Sequence, residues 1–288
     1  MLDEGVLDGG TTNRVPKDRS LDNDCYRNYY GDVAPTPTAA IDIRRAGDRA
    51  HTRIDWLDSW HSFSFGRHYD ADNTHHGLLL VSNDDIVRAG AGFGTHPHAD
   101  MEIVTWVLEG QLEHRDSIGT EGIISPGLAQ RMSAGSGIRH SEMNASATAD
   151  VHLIQMWVRP DTQGIKPSYE QRDVTDALGA GGLIAVASGR GHDGAVTIHQ
   201  RDAVLWIARL RSGETVTVPQ APHVHVFIAV GTAELDADPE AEPGAEPGAE
   251  PGGHVEVGTG DAVRLTTAGA TSVTAGPDGA EILIWETA

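Results

Sequence analysis

Gly94-Thr95-His96-Pro97-His98-Ala99-Asp100-Met101-Glu102 decides how this chain is read. In an extended strand successive side chains point to opposite faces, so residues two apart share a face. His96 and His98 can therefore aim two imidazoles at one point. Further along, Gly135-Ser136-Gly137-Ile138-Arg139-His140-Ser141-Glu142 repeats the device, because His140 and Glu142 also stand two apart. Between the pairs lie the turn signals Gly110, Ser117-Ile118-Gly119 and Ser125-Pro126-Gly127. If these are meander turns, the paired strands face one another in a barrel, and three imidazole nitrogens converge with one carboxylate oxygen. That set suits a divalent first-row metal, with positions left open in octahedral geometry. One His-x-His pair alone carries little weight. The competing reading is four unrelated polar residues on strand edges, and the second pair at matching spacing weighs against it.

The surrounding pattern is short apolar runs between turns. Leu78 to Val81 precedes Ser82-Asn83-Asp84-Asp85, Ile103 to Leu108 precedes Glu109-Gly110, and Val151 to Val158 precedes Arg159-Pro160. Such spacing predicts an all-β sandwich or barrel. One short helix is expected near Tyr169 to Leu178. The 288 residues are enough for two domains, and 34 Gly and 14 Pro favour turns and short strands. Residues 1–40 are polar and aperiodic and are expected to be a flexible arm. Ala241-Glu242-Pro243-Gly244 repeats twice more through Gly252, and reads as an expanded hairpin loop over 237–252, since long surface insertions cost little closure entropy.

Formal net charge is −21, which argues against direct nucleic-acid binding and against an electrostatic membrane anchor. Residues 1–40 contribute −3 of it and residues 236–252 contribute −6. The single cysteine, Cys25, excludes an intramolecular disulfide framework and a Cys-based zinc finger. The N-terminus has neither the basic start nor the apolar run of a secretory signal, and no apolar stretch has transmembrane length. A cytoplasmic location is the expectation.

The chain resembles the pirin family of the cupin superfamily, and in particular the bacterial pirin-like quercetin 2,3-dioxygenases. The resemblance is carried by His61-Ser62-Phe63-Ser64-Phe65-Gly66, Ser82-Asn83-Asp84-Asp85, Gly92 to His98, Met101-Glu102-Ile103 and Glu109-Gly110. It continues in His114-Arg115-Asp116-Ser117, Met132 to Glu142, Gln155-Met156-Trp157-Val158 and Pro167-Ser168-Tyr169. It implies a bicupin of two double-stranded β-helix barrels packed together, expected over 41–165 and 166–288. It further implies metal ligands at His96, His98, His140 and Glu142, with Fe(II) as the family metal. Ni, Mn, Co, Cu or Zn suit the same donors. The implied reaction opens the central ring of a flavonol with O2 and releases carbon monoxide. Glu142 is then the nearest candidate catalytic base, a role in tension with full-time ligation. The alternative implied by other pirin-like proteins is a non-catalytic metal-binding regulator that docks on a transcription factor or metabolic enzyme.

Other residues receive lesser roles. Glu102 shares the parity of His96 and His98 and is expected to orient a ligand. Phe63, Phe65, Met101, Met132 and Met156 are candidate pocket walls. His61, His75, His76 and His114 are expected to be surface or hydrogen-bonded residues. The pair His223 and His225 is tempting, but aligning Gly231 with Gly110 places His223 opposite Glu102. Thr217 and Pro219 then stand opposite His96 and His98, so no metal is expected in the second barrel.

Overall fold

The computed structural model describes residues 40–237 and 253–288. The expected arm, with Cys25, therefore lies outside the described residues up to Ala40, and so do the AEPG repeats. The chain opens with β1 (Ala40–Arg44), β2 (Ala50–Ile54), β3 (Leu57–His61) and β4 (Leu79–Val87). β5 (Gly92–His98), β6 (Glu102–Glu109), β7 (Leu112–Asp116) and β8 (Glu121–Ile124) follow. Then come β9 (Leu128–Ser133), β10 (Ile138–Asn144), β11 (Val151–Val158) and β12 (Ser168–Asp173). The helix α1 (Thr175–Gly179) precedes β13 (Ile184–Ser188), β14 (Val196–Thr197), β15 (Ala203–Leu210) and β16 (Thr215–Thr217). β17 (His223–Ala237), β18 (Gly253–Gly258), β19 (Ala262–Thr266) and β20 (Thr271–Thr287) complete the chain.

The fold is all-β and forms two barrels. A seven-stranded sheet, β12-β9-β6-β11-β4-β3-β2, and a four-stranded sheet, β5-β10-β7-β8, enclose the first. The second is one nine-stranded sheet with the spine β1-β19-β17-β20-β15-β13-β14, with β16 added on β20 and β18 on β17. The long β17–β20 ladder bends at bulges beside Val230 and Gly231, which lets one sheet wrap a core that includes Val226, Leu235, Val257 and Ile284. Gly231 has φ 84°, and a Cβ there would lie 2.1 Å from the Gly279 carbonyl oxygen, so only glycine fits the bend.

The sheets divide the chain differently from the expected boundaries. β1 pairs with β19 of the second barrel, and β12 pairs with β9 of the first, so the first sheet runs past residue 165. The expected helix over Tyr169 to Leu178 is mostly strand. Residues 168–173 find a ladder partner in β9, and only Thr175–Gly179 coils. The strands flanking the AEPG repeats do pair as a hairpin, with Ala237 opposite Gly253.

The seven-stranded sheet is buried on both faces, which explains why its strands read as continuous apolar runs. On β6, Val104 and Trp106 face the second barrel, where they pack with Leu205, Phe227, Leu283 and Trp285. Ile103 and Val107 face the interior of the first barrel. The Trp285 indole donates to the Met156 sulfur at 3.1 Å, and the Trp106 indole donates to Glu281 at 2.7 Å, so the between-barrel core also satisfies its polar atoms.

Polar residues interrupt the inner face of β4. Asn83 and Asp85 share the parity of the core residues Val81 and Val87. Burial pushes the Asp85 carboxyl up to about 7, opposed by a hydrogen bond with Ser59 and reinforced by Asp84 and Glu142. The folded-state value lies above the unfolded one, so the stability tied to the neutral carboxyl is complete at low pH and is lost as pH rises toward 7. Asp85→Asn keeps the shape without the charge. It is expected to gain stability over the parent as pH rises from 4 to 8, by on the order of 2–4 kcal/mol at the upper end. Denaturant midpoints measured across that range on protein without added metal check this. A difference independent of pH would contradict it.

Candidate metal centre

β5 and β10 run antiparallel, with His96 opposite His140 and His98 opposite Ile138. The register puts three imidazoles on one face. Ring centroids are 4.4 Å apart for His96 and His140, 4.8 Å for His96 and His98, and 4.9 Å for His98 and His140. Beyond His140 the ladder shifts, so that Glu142 stands opposite Phe93 rather than Gly94. The strands are pressed together there. A Cβ on Gly92 would lie 2.3 Å from the Glu142 carbonyl oxygen.

Two donor sets result. One nitrogen each from His96, His98 and His140 lie within 4.8 Å of one another, and so do donor atoms of His114, His140 and Glu142. His140 belongs to both: the first set holds three of the residues read from the sequence, and Glu142 falls in the second, with His114. His96 Nδ1 stands 2.7 Å from the Gly94 carbonyl oxygen, which can only accept. The proton of His96 is therefore on Nδ1, and Nε2 carries the lone pair. His140 Nε2 is buried with no hydrogen-bond partner. Burial, with the neighbouring imidazoles, holds His98 and His140 at about 2, so both rings stay neutral as donors.

Two side chains that carry hydrogen bonds here were quoted above only as parts of motifs. Gln155 Nε2 donates to Glu142 Oε2 at 2.7 Å, and the Trp157 indole donates to Gln155 Oε1 at 3.2 Å. The Trp157 indole ring also meets the His98 ring edge-to-face at 5.0 Å. Their signal was a glutamine in the middle of an apolar strand, two residues from an aromatic donor. His114 is hydrogen-bonded, as expected for one of the histidines set aside, but it is fully buried beside the site. Its Nε2 lies 3.1 Å from Asp116 Oδ2 and its Nδ1 lies 3.5 Å from His140 Nδ1. Here the spacing of two, already visible in His114-Arg115-Asp116, carried more than a surface role.

Glu102 does not orient a ligand. Asp100 takes φ 49° and, with Met101, ends β5 and restarts the chain as β6, so strand parity does not carry across. Glu102 faces the second barrel instead. Its Oε2 accepts from Ser133 Oγ at 2.8 Å and from the His199 backbone N–H at 3.1 Å. Burial raises its pKa despite these bonds. Two of the candidate walls are displaced for the same reason of facing. Phe63 and Met156 belong to the between-barrel core, whereas Phe65, Met101 and Met132 pack with Trp157 inside the first barrel. His61 bonds to Asn83 and Thr52, and His76 Nε2 bonds to the Leu265 carbonyl oxygen. His225 is buried beside Phe63 and Phe227, opposite Arg264 on β19, and burial first, then Arg264, holds it neutral.

Comparison with known proteins gives the family. Residues 43–158 match the family model for pirin, and residues 185–287 match the one for the quercetinase C-terminal cupin domain. A Mycobacterium tuberculosis protein named "putative quercetin 2,3-dioxygenase" is 55% identical over 250 residues, covering 86% of this chain and 96% of that one. The Escherichia coli quercetin 2,3-dioxygenase is 47% identical over 176 residues, 61% of this chain and 75% of its own. The crystal structure of the Escherichia coli bacterial pirin YhhW in complex with nickel(II) superposes with a TM-score of 0.74 at 37% identity, over 86% of this chain and 99% of that one. With both barrels matched and a relative more than half identical along most of its length, the chain belongs to the pirin family.

Proposed function

We propose that this chain is a metal-dependent dioxygenase that opens the central ring of a flavonol such as quercetin with O2 and releases carbon monoxide. The observation that carries the reading is the donor set of His96, His98 and His140, in which His140 Nε2 is buried and unpartnered. A buried polar atom without a partner beside two further imidazoles is costly unless something binds there. His96, His98, His140 and Glu142 would hold one divalent cation, Fe(II) or another first-row ion such as Ni(II). The nickel complex of the related YhhW supports a centre of this kind. When bound, the cation would supply Lewis acidity and open positions for an oxyanion and O2.

The protein groups have separable tasks. Gln155 donates to one Glu142 oxygen and leaves the other for the cation or for a substrate proton, not for both at once. Glu142 therefore serves as base only while detached from the cation. Trp157, Phe65 and Met132 form apolar packing behind His98 and limit water on that side. The second barrel contributes no donor set among the described residues, and its proposed part is to cover the outer face of the seven-stranded sheet. No helix among the described residues is long and apolar enough to cross a membrane.

Purified protein loaded in turn with Fe, Ni, Mn, Co and Cu tests the reaction. Loss of the flavonol absorption band, with carbon monoxide release that depends on O2, is expected for at least one metal. No turnover with any of them would overturn the flavonol reading. Metal analysis tests the site independently. His98→Ala and His140→Ala are each expected to fall well below one metal per chain, and the parent to hold one. Full occupancy in both variants, or two metals per parent chain, would contradict the proposed centre.

A further inference from the structure

We propose that Asp116 and His114 are positioning residues that fix the proton of His140 on Nδ1, leaving its Nε2 lone pair directed toward His96 and His98. The inference deepens the metal-centre reading above and rests on it for its purpose, though not for its geometry.

The chain of constraints starts at the β7–β8 turn. Asp116 Oδ1 accepts from the backbone N–H groups of Ile118 at 3.0 Å and Thr120 at 2.9 Å. That leaves Oδ2, which faces His114 Nε2 at 3.1 Å, with both side chains fully buried. An ionised carboxylate oxygen can only accept, so His114 carries its proton on Nε2. With that single ring proton on Nε2, His114 Nδ1 is an acceptor. It meets His140 Nδ1 at 3.5 Å. The single proton between these two nitrogens therefore belongs to His140, and Nε2 of His140 is left with a lone pair. That is the atom found buried without a partner. The Tyr169 ring lies over His114 at 4.7 Å between centroids, which helps hold the ring in this orientation.

The arrangement matters because a ring nitrogen binds a cation only when it carries no proton, and the bond made by the other nitrogen selects the tautomer. With His140 protonated on Nε2 instead, an N–H would point at the spot where His96 and His98 converge. His96 is fixed in the useful tautomer by its own Gly94 carbonyl. His140 has no such local acceptor in its contacts and takes its tautomer from two residues on the neighbouring strand.

Asp116→Asn tests this directly, because the structure dictates how the amide would sit. The two backbone N–H groups keep the oxygen at the Oδ1 position, so the NH2 turns to His114 Nε2 and donates. His114 then carries its proton on Nδ1 and donates to His140, which must place its own proton on Nε2. Nickel(II) binding measured by calorimetry is expected to weaken by about 10–100-fold. The same variant without metal is expected to show His140 protonated on Nε2 by nitrogen-15 NMR. A merely structural role would weaken nickel binding with His140 still protonated on Nδ1, and that result would overturn the proposal. The parent needs no substitution for the second readout. Nitrogen-15 NMR of the metal-free protein is expected to show His140 protonated on Nδ1, and protonation on Nε2 would also overturn it. If the parent binds no nickel at one per chain, the metal-centre reading fails, while the NMR result still decides the tautomer.

Discussion

The pairing of His140 with His96 across the β5–β10 ladder is the constraint on which the site depends. Side-chain period along a strand is two, so a slip of one residue would turn His140 and Glu142 outward together. The register is held at both ends. Near Glu142, Gly92 lets the two backbones touch, and the Asn144 N–H donates to the Ala91 carbonyl at 2.8 Å. The Asn144 side chain then bonds to the carbonyls of Val87 and Ala149, at 2.9 Å each, and ties β10 to the end of β4. At the His98 end, Asp100 donates its N–H to the Gly135 carbonyl at 2.8 Å and turns the chain into β6. These contacts use glycine where a side chain would collide and Asn or Asp where a polar side chain completes a turn.

Around that register the first barrel is polar for a protein interior. Asn83 bonds to His61, Asp85 to Ser59, Gln155 to Glu142 and Trp157, and His114 to Asp116. The cost of burying them is offset only when every member finds a partner. His140 Nε2, one oxygen of Asp85 and the Tyr169 hydroxyl are among the unmatched buried atoms. Among the described residues, the second barrel adds no donors to this group. It closes the far face of the seven-stranded sheet through Trp106, Met156 and Trp285, and through Glu102, whose carboxylate bonds to the His199 backbone.

The fold and the clustering of His96, His98 and His140 were legible in the sequence because both depend on short-range patterns. Two His-containing pairs at spacing two, with turns between them, require paired strands, and the pirin-like motifs arrange those strands in order. What failed was long-range or depended on a single backbone residue. The inward parity expected of Glu102 is lost at Asp100, whose left-handed φ no spacing rule reports. The helix expected at Tyr169 to Leu178 is β12 for most of its length because β9 offers an edge. Phe63 and Met156 read as pocket walls, yet a strand buried on both faces, as β11 is, or a bend such as the one at Phe63 gives no sequence sign of which core an apolar residue faces. The hydrogen-bond partners of Glu142 and His140 are present in the quoted motifs, but their roles emerge only when β7, β10 and β11 are brought together.

The most direct measurement is the position of the metal itself. Crystals of the chain loaded with one equivalent of nickel(II), with anomalous diffraction collected at the metal edge, locate it without reference to activity. One peak per chain is predicted, within about 2.0–2.2 Å of nitrogens of His96, His98 and His140 and an oxygen of Glu142. A peak held by His114 in place of Glu142, or one beside His223 and His225 in the second barrel, would contradict the account.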